Sequence, residues 1–210
     1  MTAALLPQEI EQESFRRIEA AVREHGFPPR QWVVVRRMIH AVADLELAGL
    51  VRFHPEALAA GVSALKQQRP VFTDTRMLLA GVSRRLQRLG VPVTCLLDDP
   101  QGAALAQERV LTRSAAAVLQ AAPQLPGSIV AIGNAPTALR QLLALLQEGM
   151  APPALIIGLP VGFVDAAESK EALLAASCPY ITMVGPKGGS ALAASALNAL
   201  AILAEEEQSQ

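Results

Sequence analysis

The segment Arg36-Arg37-Met38-Ile39-His40-Ala41-Val42-Ala43-Asp44 gathers residue types that move protons. On a helix, Arg37 neighbours His40 at i,i+3, Arg36 neighbours it at i,i+4, and Asp44 follows it at i+4. An aspartate holding one ring nitrogen leaves the other free to handle a proton near neutral pH. The arginines disfavour the imidazolium and the aspartate favours it, and spacing alone leaves that balance open. A surface helix laced with ordinary ion pairs has the same pattern.

Other segments suit anions or a flat ring. In Leu111-Thr112-Arg113-Ser114, Thr112 has the character of an N-cap and Arg113 falls in the first helical turn. A cation at that positive helix end is penalised by roughly a few tenths of a kcal/mol unless an anion joins it, whether a ligand or a carboxylate of the protein itself. Across residues 131–139 an apolar run meets Gly133 and Asn134 before Pro136 opens a helix. The N–H groups there suit a carboxylate or phosphate, and a plain turn with Asn134 as N-cap reads the same. Gly185-Pro186-Lys187-Gly188-Gly189-Ser190 heads the last helix. Its glycines let backbone approach a ligand and Lys187 adds a mobile positive charge. It matches neither the Walker A spacing nor G-x-G-x-x-G, which removes the main support for a nucleotide site. Residues 158–170 form a long apolar loop running into a helix, suited to wall a large flat ligand or to fold back on the core.

Such residues need a frame. Helical spacing over residues 7–25, 30–42, 44–50 and 55–67 predicts a helical N-terminal third. From residue 70, β-prone runs at 70–73, 91–97, 128–132, 154–158 and 180–184 alternate with helical stretches at 76–88, 112–122, 136–148, 167–176 and 190–204. Alternation of this kind predicts an α/β fold, with a mainly parallel five-stranded sheet and helices on both faces. Residues 1–210 read as a single domain. Ligands of open α/β sheets bind beyond the carboxyl ends of the strands. Those ends carry Asp74, Asp98-Asp99, Gly133-Asn134, Gly158-Leu159-Pro160 and Gly185-Pro186-Lys187.

Composition narrows the function classes. The chain is 51% hydrophobic and 18% charged, which excludes a disordered chain. A net charge of -1 argues against nucleic acid or a membrane surface as partner. Cys95 and Cys178 lie far apart without metal or redox spacing, as expected of free thiols in a reducing compartment. The N-terminus lacks a basic n-region and no apolar run reaches about 18 residues, so a cytoplasmic protein without a membrane span is expected.

The ordered set of segments resembles the precorrin-8X (cobalt-precorrin-8) methylmutase family. The matching stretches are Glu13-Ser14 with Arg17-Ile18, Arg37-Met38-Ile39-His40 with Asp44, and Thr73-Asp74-Thr75-Arg76-Met77. They continue through Thr112-Arg113-Ser114, residues 131–139 and 158–170, and Lys187-Gly188-Gly189-Ser190 with Asn198-Ala199-Leu200. The resemblance implies a Rossmann-like fold, a homodimer, and a 1,5-sigmatropic migration of a methyl group from C11 to C12 of an anionic corrinoid in vitamin B12 (cobalamin) biosynthesis. It makes His40 the catalytic proton donor. It places Ser14, Arg37, Thr73, Asp74, Arg113, Asn134, Lys187, Gly188, Gly189 and Ser190 around the substrate, with no cofactor and no metal of the protein's own. Pro186, ahead of the lysine, departs from the expected pattern. A corrinoid carrier and a Rossmann-like enzyme for phosphate ligands are the competing readings.

Overall fold

The computed structural model describes residues 6–208, with the side chains of residues 7 and 8 left aside. The helices are α1 (Pro7–Ala21), α2 (Pro29–Val42), α3 (Leu47–Leu50), α4 (Ala57–Lys66), α5 (Arg76–Gly81), α6 (Arg84–Arg88), α7 (Pro100–Arg109), α8 (Arg113–Ala121), α9 (Pro136–Gln147), α10 (Ala166–Leu174) and α11 (Ser190–Gln208). The strands are β1 (Val51–Phe53), β2 (Val71–Thr73), β3 (Val93–Cys95), β4 (Ile129–Ile132), β5 (Leu155–Gly158) and β6 (Tyr180–Met183).

The sheet has six strands in the order β1-β6-β5-β4-β2-β3, and the expected count of five is corrected. All neighbours run parallel except β1, which pairs antiparallel with β6 through Val51↔Met183 and Phe53↔Ile181. Three residues of β-prone sequence between two helices carry little period, and only pairing with a strand far along the chain makes them β1. Among the parallel strands the first, β2, lies inside. The second, β3, flanks it on one side, and β4, β5 and β6 follow on the other. Strand order therefore reverses between β2 and β4, in the manner of a flavodoxin-like sheet rather than the Rossmann order.

β4 and β5 are buried at every position, as continuous apolar runs covered on both faces must be. One hydrophobic cluster joins Ile129, Ala131, Leu155, Ile157 and Ile181 to α2, α4 and α11. The other joins Phe72, Val130, Ile132 and Ile156 to α8, α9 and Leu173 of α10. The helix α11 is rich in buried alanine, which lets it lie close against α2, α4 and α5. Two helical boundaries depart from expectation. The stretch 76–88 is broken at Val82-Ser83, where Ser83 caps α6. The helix α7 was not foreseen, although Asp99 caps it through the Gln101 N–H and Pro100 opens it. Among the described residues no helix is long and apolar enough to cross a membrane.

Candidate active site

Asp74 leaves the end of β2 at the reversal of strand order. Its carboxylate accepts three backbone N–H groups, from Gly133 (3.0 Å), Asn134 (2.8 Å) and Ala135 (3.0 Å). The anion-binding capacity at the head of α9 is thus filled by the protein itself. Burial pushes the Asp74 carboxyl above its ordinary range, against the pull of those donors. Thr73 is equally buried and donates to the carbonyls of Thr75 and Thr94. Thr73 and Asp74, expected around the substrate, are both engaged in holding loops. The alternative of a plain turn with Asn134 as N-cap does not hold. Ala135 holds the cap position without a side-chain bond, and the Asn134 side chain is exposed.

Ser190 opens α11 beside this cradle. Its Oγ lies 3.0 Å from Thr75 Oγ1, and a Cβ on Gly133 would come within 2.7 Å of Ser190 Cα. Ahead of it, Gly188 passes so close to the preceding loop that a Cβ would collide with the carbonyl oxygens of Leu159 and Pro160. Gly189 N donates to Leu159 O at 2.8 Å. Lys187 is not a free cation. Its Nζ donates to Asp44 Oδ2 and Glu46 Oε2, each at 2.6 Å, which raises the ammonium above its ordinary range and lowers Asp44.

That ion pair joins the glycine-rich loop to the end of α2, where His40 stands in the last turn. Val35, Met38 and Ile39 take the buried side of α2, which turns His40 outward. His40 borders a hollow of about 520 Å³ with Ser14, Arg17, Ile18 and Leu45. The Phe15 ring meets the imidazole edge-on, with centroids 5.3 Å apart. Arg36 and Arg37 lie over the same phenyl ring, 4.3 and 5.2 Å from its centroid. Arg36 pairs with Glu19 and Arg37 with Glu11, which engages Arg37 on α1. Arg16 and Arg17 hold the Glu13 carboxyl down to about 2. Ser14 Oγ donates to Ile10 O, leaving its lone pairs open to accept. Among the described residues His40 makes no hydrogen bond. The expected support from Asp44 fails because Ala43 turns left-handed (φ 55°) and ends the helix between them.

Arg113 sits at the head of α8, exposed and, among the described residues, without a hydrogen-bond or ion-pair partner. Thr112 caps that helix as expected and touches Thr137 at 2.8 Å. No hydrogen bond or ion pair joins Arg113 to the His40 hollow. Beyond β5, Val161, Phe163 and Val164 expose apolar surface, and Phe163 is 99% exposed. The structure therefore brings Ser14 and His40 to one hollow, ties Lys187 to Asp44 just past the end of α2, and leaves the side chains of Arg113 and Asn134 exposed. Phe15 was not singled out from sequence, although its i,i+3 spacing to Ile18 marked the inner side of α1.

An open imidazole by a hollow, a guanidinium without a counter-ion and an apolar loop suit a large anionic ring. Known proteins agree. The sequence profile of precorrin-8X methylmutase matches residues 9–203. The cobalt-precorrin-8 methylmutase of Priestia megaterium is 42% identical over 200 residues, covering 95% of this chain and 89% of that protein. The precorrin-8X methylmutase of Pseudomonas aeruginosa is 45% identical over 196 residues, covering 92% and 94%. The crystal structure of the Thermus thermophilus precorrin-8X methylmutase superposes with a TM-score of 0.87 at 43% identity, covering 94% of this chain and 98% of that one. By profile, relatives and fold together, this chain belongs to the precorrin-8X methylmutase family.

Proposed function

We propose that the protein is an isomerase of cobalamin biosynthesis, a methylmutase that moves a methyl group from C11 to C12 within precorrin-8X or cobalt-precorrin-8. The match to the family along residues 9–203, with an unbonded imidazole beside the hollow, supports this reading. The migration is intramolecular. It asks the protein to hold the ring in a reactive shape and to place one proton donor.

His40 protonates the macrocycle, or hydrogen-bonds to it, as the methyl migrates, and takes the proton back afterwards. Phe15 orients the imidazole, and Ser14 accepts a hydrogen bond at the floor of the hollow. Arg113, Asn134 and the N–H groups of Gly188 and Ser190 meet the peripheral carboxylates, with Gly189 fixing the path of the loop through its bond to Leu159 O. Lys187 serves them from within its ion pair and Arg37 steadies Phe15. Residues 1–210 act as one domain in the cytoplasm. A homodimer would cover Val161, Phe163 and Val164, whose exposure is otherwise costly.

The test is conversion of precorrin-8X to hydrogenobyrinic acid, and of the cobalt form to cobyrinic acid, run side by side and followed by the visible spectrum. The expected result is the product spectrum from one or both substrates. Substrate that binds but keeps the spectrum of the unrearranged ring, while a known methylmutase converts it, would refute the isomerase reading.

A further inference from the structure

Lys170 lies on the inner side of α10 with Ala166 and Leu173 and exposes no surface. Its Nζ donates to the carbonyl oxygen of Lys187, its one hydrogen bond among the described residues. An ammonium carries three donors, and a buried cation without a carboxylate is costly to keep. Among the described residues no carboxylate lies within ion-pair distance of Lys170 Nζ. Asp165, at the head of α10, is held by Arg140 of α9. Glu168 and Glu171 on α10 itself are exposed. β5 carries no titratable side chain, β6 carries only Tyr180, and the Lys187 ammonium is turned to Asp44 and Glu46.

The carbonyl that Lys170 takes belongs to the residue just ahead of Gly188, where two loops interlock. Gly189 N donates to Leu159 O and Gly162 N donates to Pro186 O at 3.2 Å. Lys170 ties that interlock to α10. We propose that Lys170 is a positioning residue of the methylmutase site. Its buried ammonium holds the Lys187 peptide so that, with the Gly189 N–H fixed on Leu159 O, Gly188 and the head of α11 present their N–H groups to a substrate carboxylate, with an uncompensated positive charge behind them. The inference rests on reading this loop as a carboxylate-binding element. Burial holds the Lys170 pKa down to about 8. The charge is therefore lost at mildly alkaline pH, where substrate carboxylates and Arg113 stay ionised.

Lys170→Met keeps an unbranched apolar stem of nearly the same length and removes the donor. In the full chain, hydrogen exchange at the Gly189 amide is expected to quicken by about tenfold relative to the β4 and β5 amides. KM for precorrin-8X is expected to rise about tenfold with kcat held within about twofold, the pattern of lost uniform binding. In the unaltered protein KM should climb between about pH 7 and about pH 9, and this climb should vanish in Lys170→Met. Unchanged Gly189 exchange in the folded variant overturns the proposal, and so does faster exchange with an unchanged KM. A flat KM profile of the unaltered protein overturns it as well, and that measurement needs no variant. Absence of any turnover by the unaltered protein would overturn the proposed function instead, while Gly189 exchange would still decide whether Lys170 orders the loop.

Discussion

Asp74 and His40 are both bonding groups placed by a chain segment that has just left an element, Asp74 past β2 and His40 in the last turn of α2. Asp74 is buried and accepts three backbone N–H groups. His40 is exposed and meets the Phe15 ring edge-on. Both carry residue types that suggest chemistry, and sequence reading placed both at the substrate. A buried carboxylate that accepts three backbone N–H groups orders the fold around it. An imidazole held in place by packing alone, with both ring nitrogens unbonded, is free for a ligand. Arg113 falls with His40, and Thr73 falls with Asp74.

Removing the imidazole tests the comparison most severely. His40→Ala is expected to lower kcat by roughly a hundredfold to ten-thousandfold, the range of one proton donor. Urea unfolding should shift by less than about 1 kcal/mol, since the residue is exposed and loses one edge contact. The variant should still bind the corrinoid, which absorption titration would read. Collapse of folding without a specific loss of turnover would move His40 to the framework side.

Asp74→Ala is the converse. It leaves three N–H donors without their acceptor at a buried turn, and about 3–5 kcal/mol of unfolding free energy should be lost. Activity should fall through the amount of folded protein and the displaced Gly133 turn. A variant that unfolds in urea like the parent yet fails to bind the corrinoid would show Asp74 to be a ligand group after all.

Arg113→Ala should leave stability within about 0.5 kcal/mol, because the guanidinium has no partner to lose. A charge-assisted bond to a substrate carboxylate is worth about 1.5–3 kcal/mol, so KM should rise by roughly tenfold to a hundredfold with kcat little changed. An unchanged KM would remove Arg113 from the site.

The division between framework and open groups was only partly legible in the sequence. The five parallel strands fall on the five β-prone runs, most clearly β4 and β5, where burial on both faces writes itself into every position. β1 escaped because three residues carry no period and its partner β6 lies far along the chain. The Thr112 cap was legible since capping is local. The Asp74 cradle was not, because nothing near Asp74 says which distant N–H groups will meet it. The end of α2 at residue 42 was legible, but the pairing of His40 with Asp44 across it was not, because Ala43 adopts the left-handed conformation where glycine is the usual signal. Lys170 left a readable trace, a lone lysine on the apolar side of α10 between Ala166 and Leu173, which is an uncommon place for an unpaired charge.

The smallest expected effect concerns the Lys187–Asp44 pair, which belongs to neither side of the comparison. The side chains of Lys187 and Asp44 are 41% and 27% exposed, so solvent screens the attraction and the pair adds little to stability. Its work is to hold the glycine-rich loop against the end of α2. Lys187 lowers the Asp44 carboxyl, so the contribution of Asp44 is present above its unfolded value near pH 4 and is lost as pH falls through the lowered folded value. The contribution of Lys187 is present below its unfolded value near pH 10 and is lost as pH rises through the raised one. Asp44→Asn should therefore unfold in urea almost like the parent at neutral pH. Between about pH 6 and about pH 3 it should lose slightly less stability than the parent, and added salt should shrink that difference. A large loss at neutral pH would place the pair with the Asp74 cradle, and the loop would then be fixed from α2 as firmly as from α10.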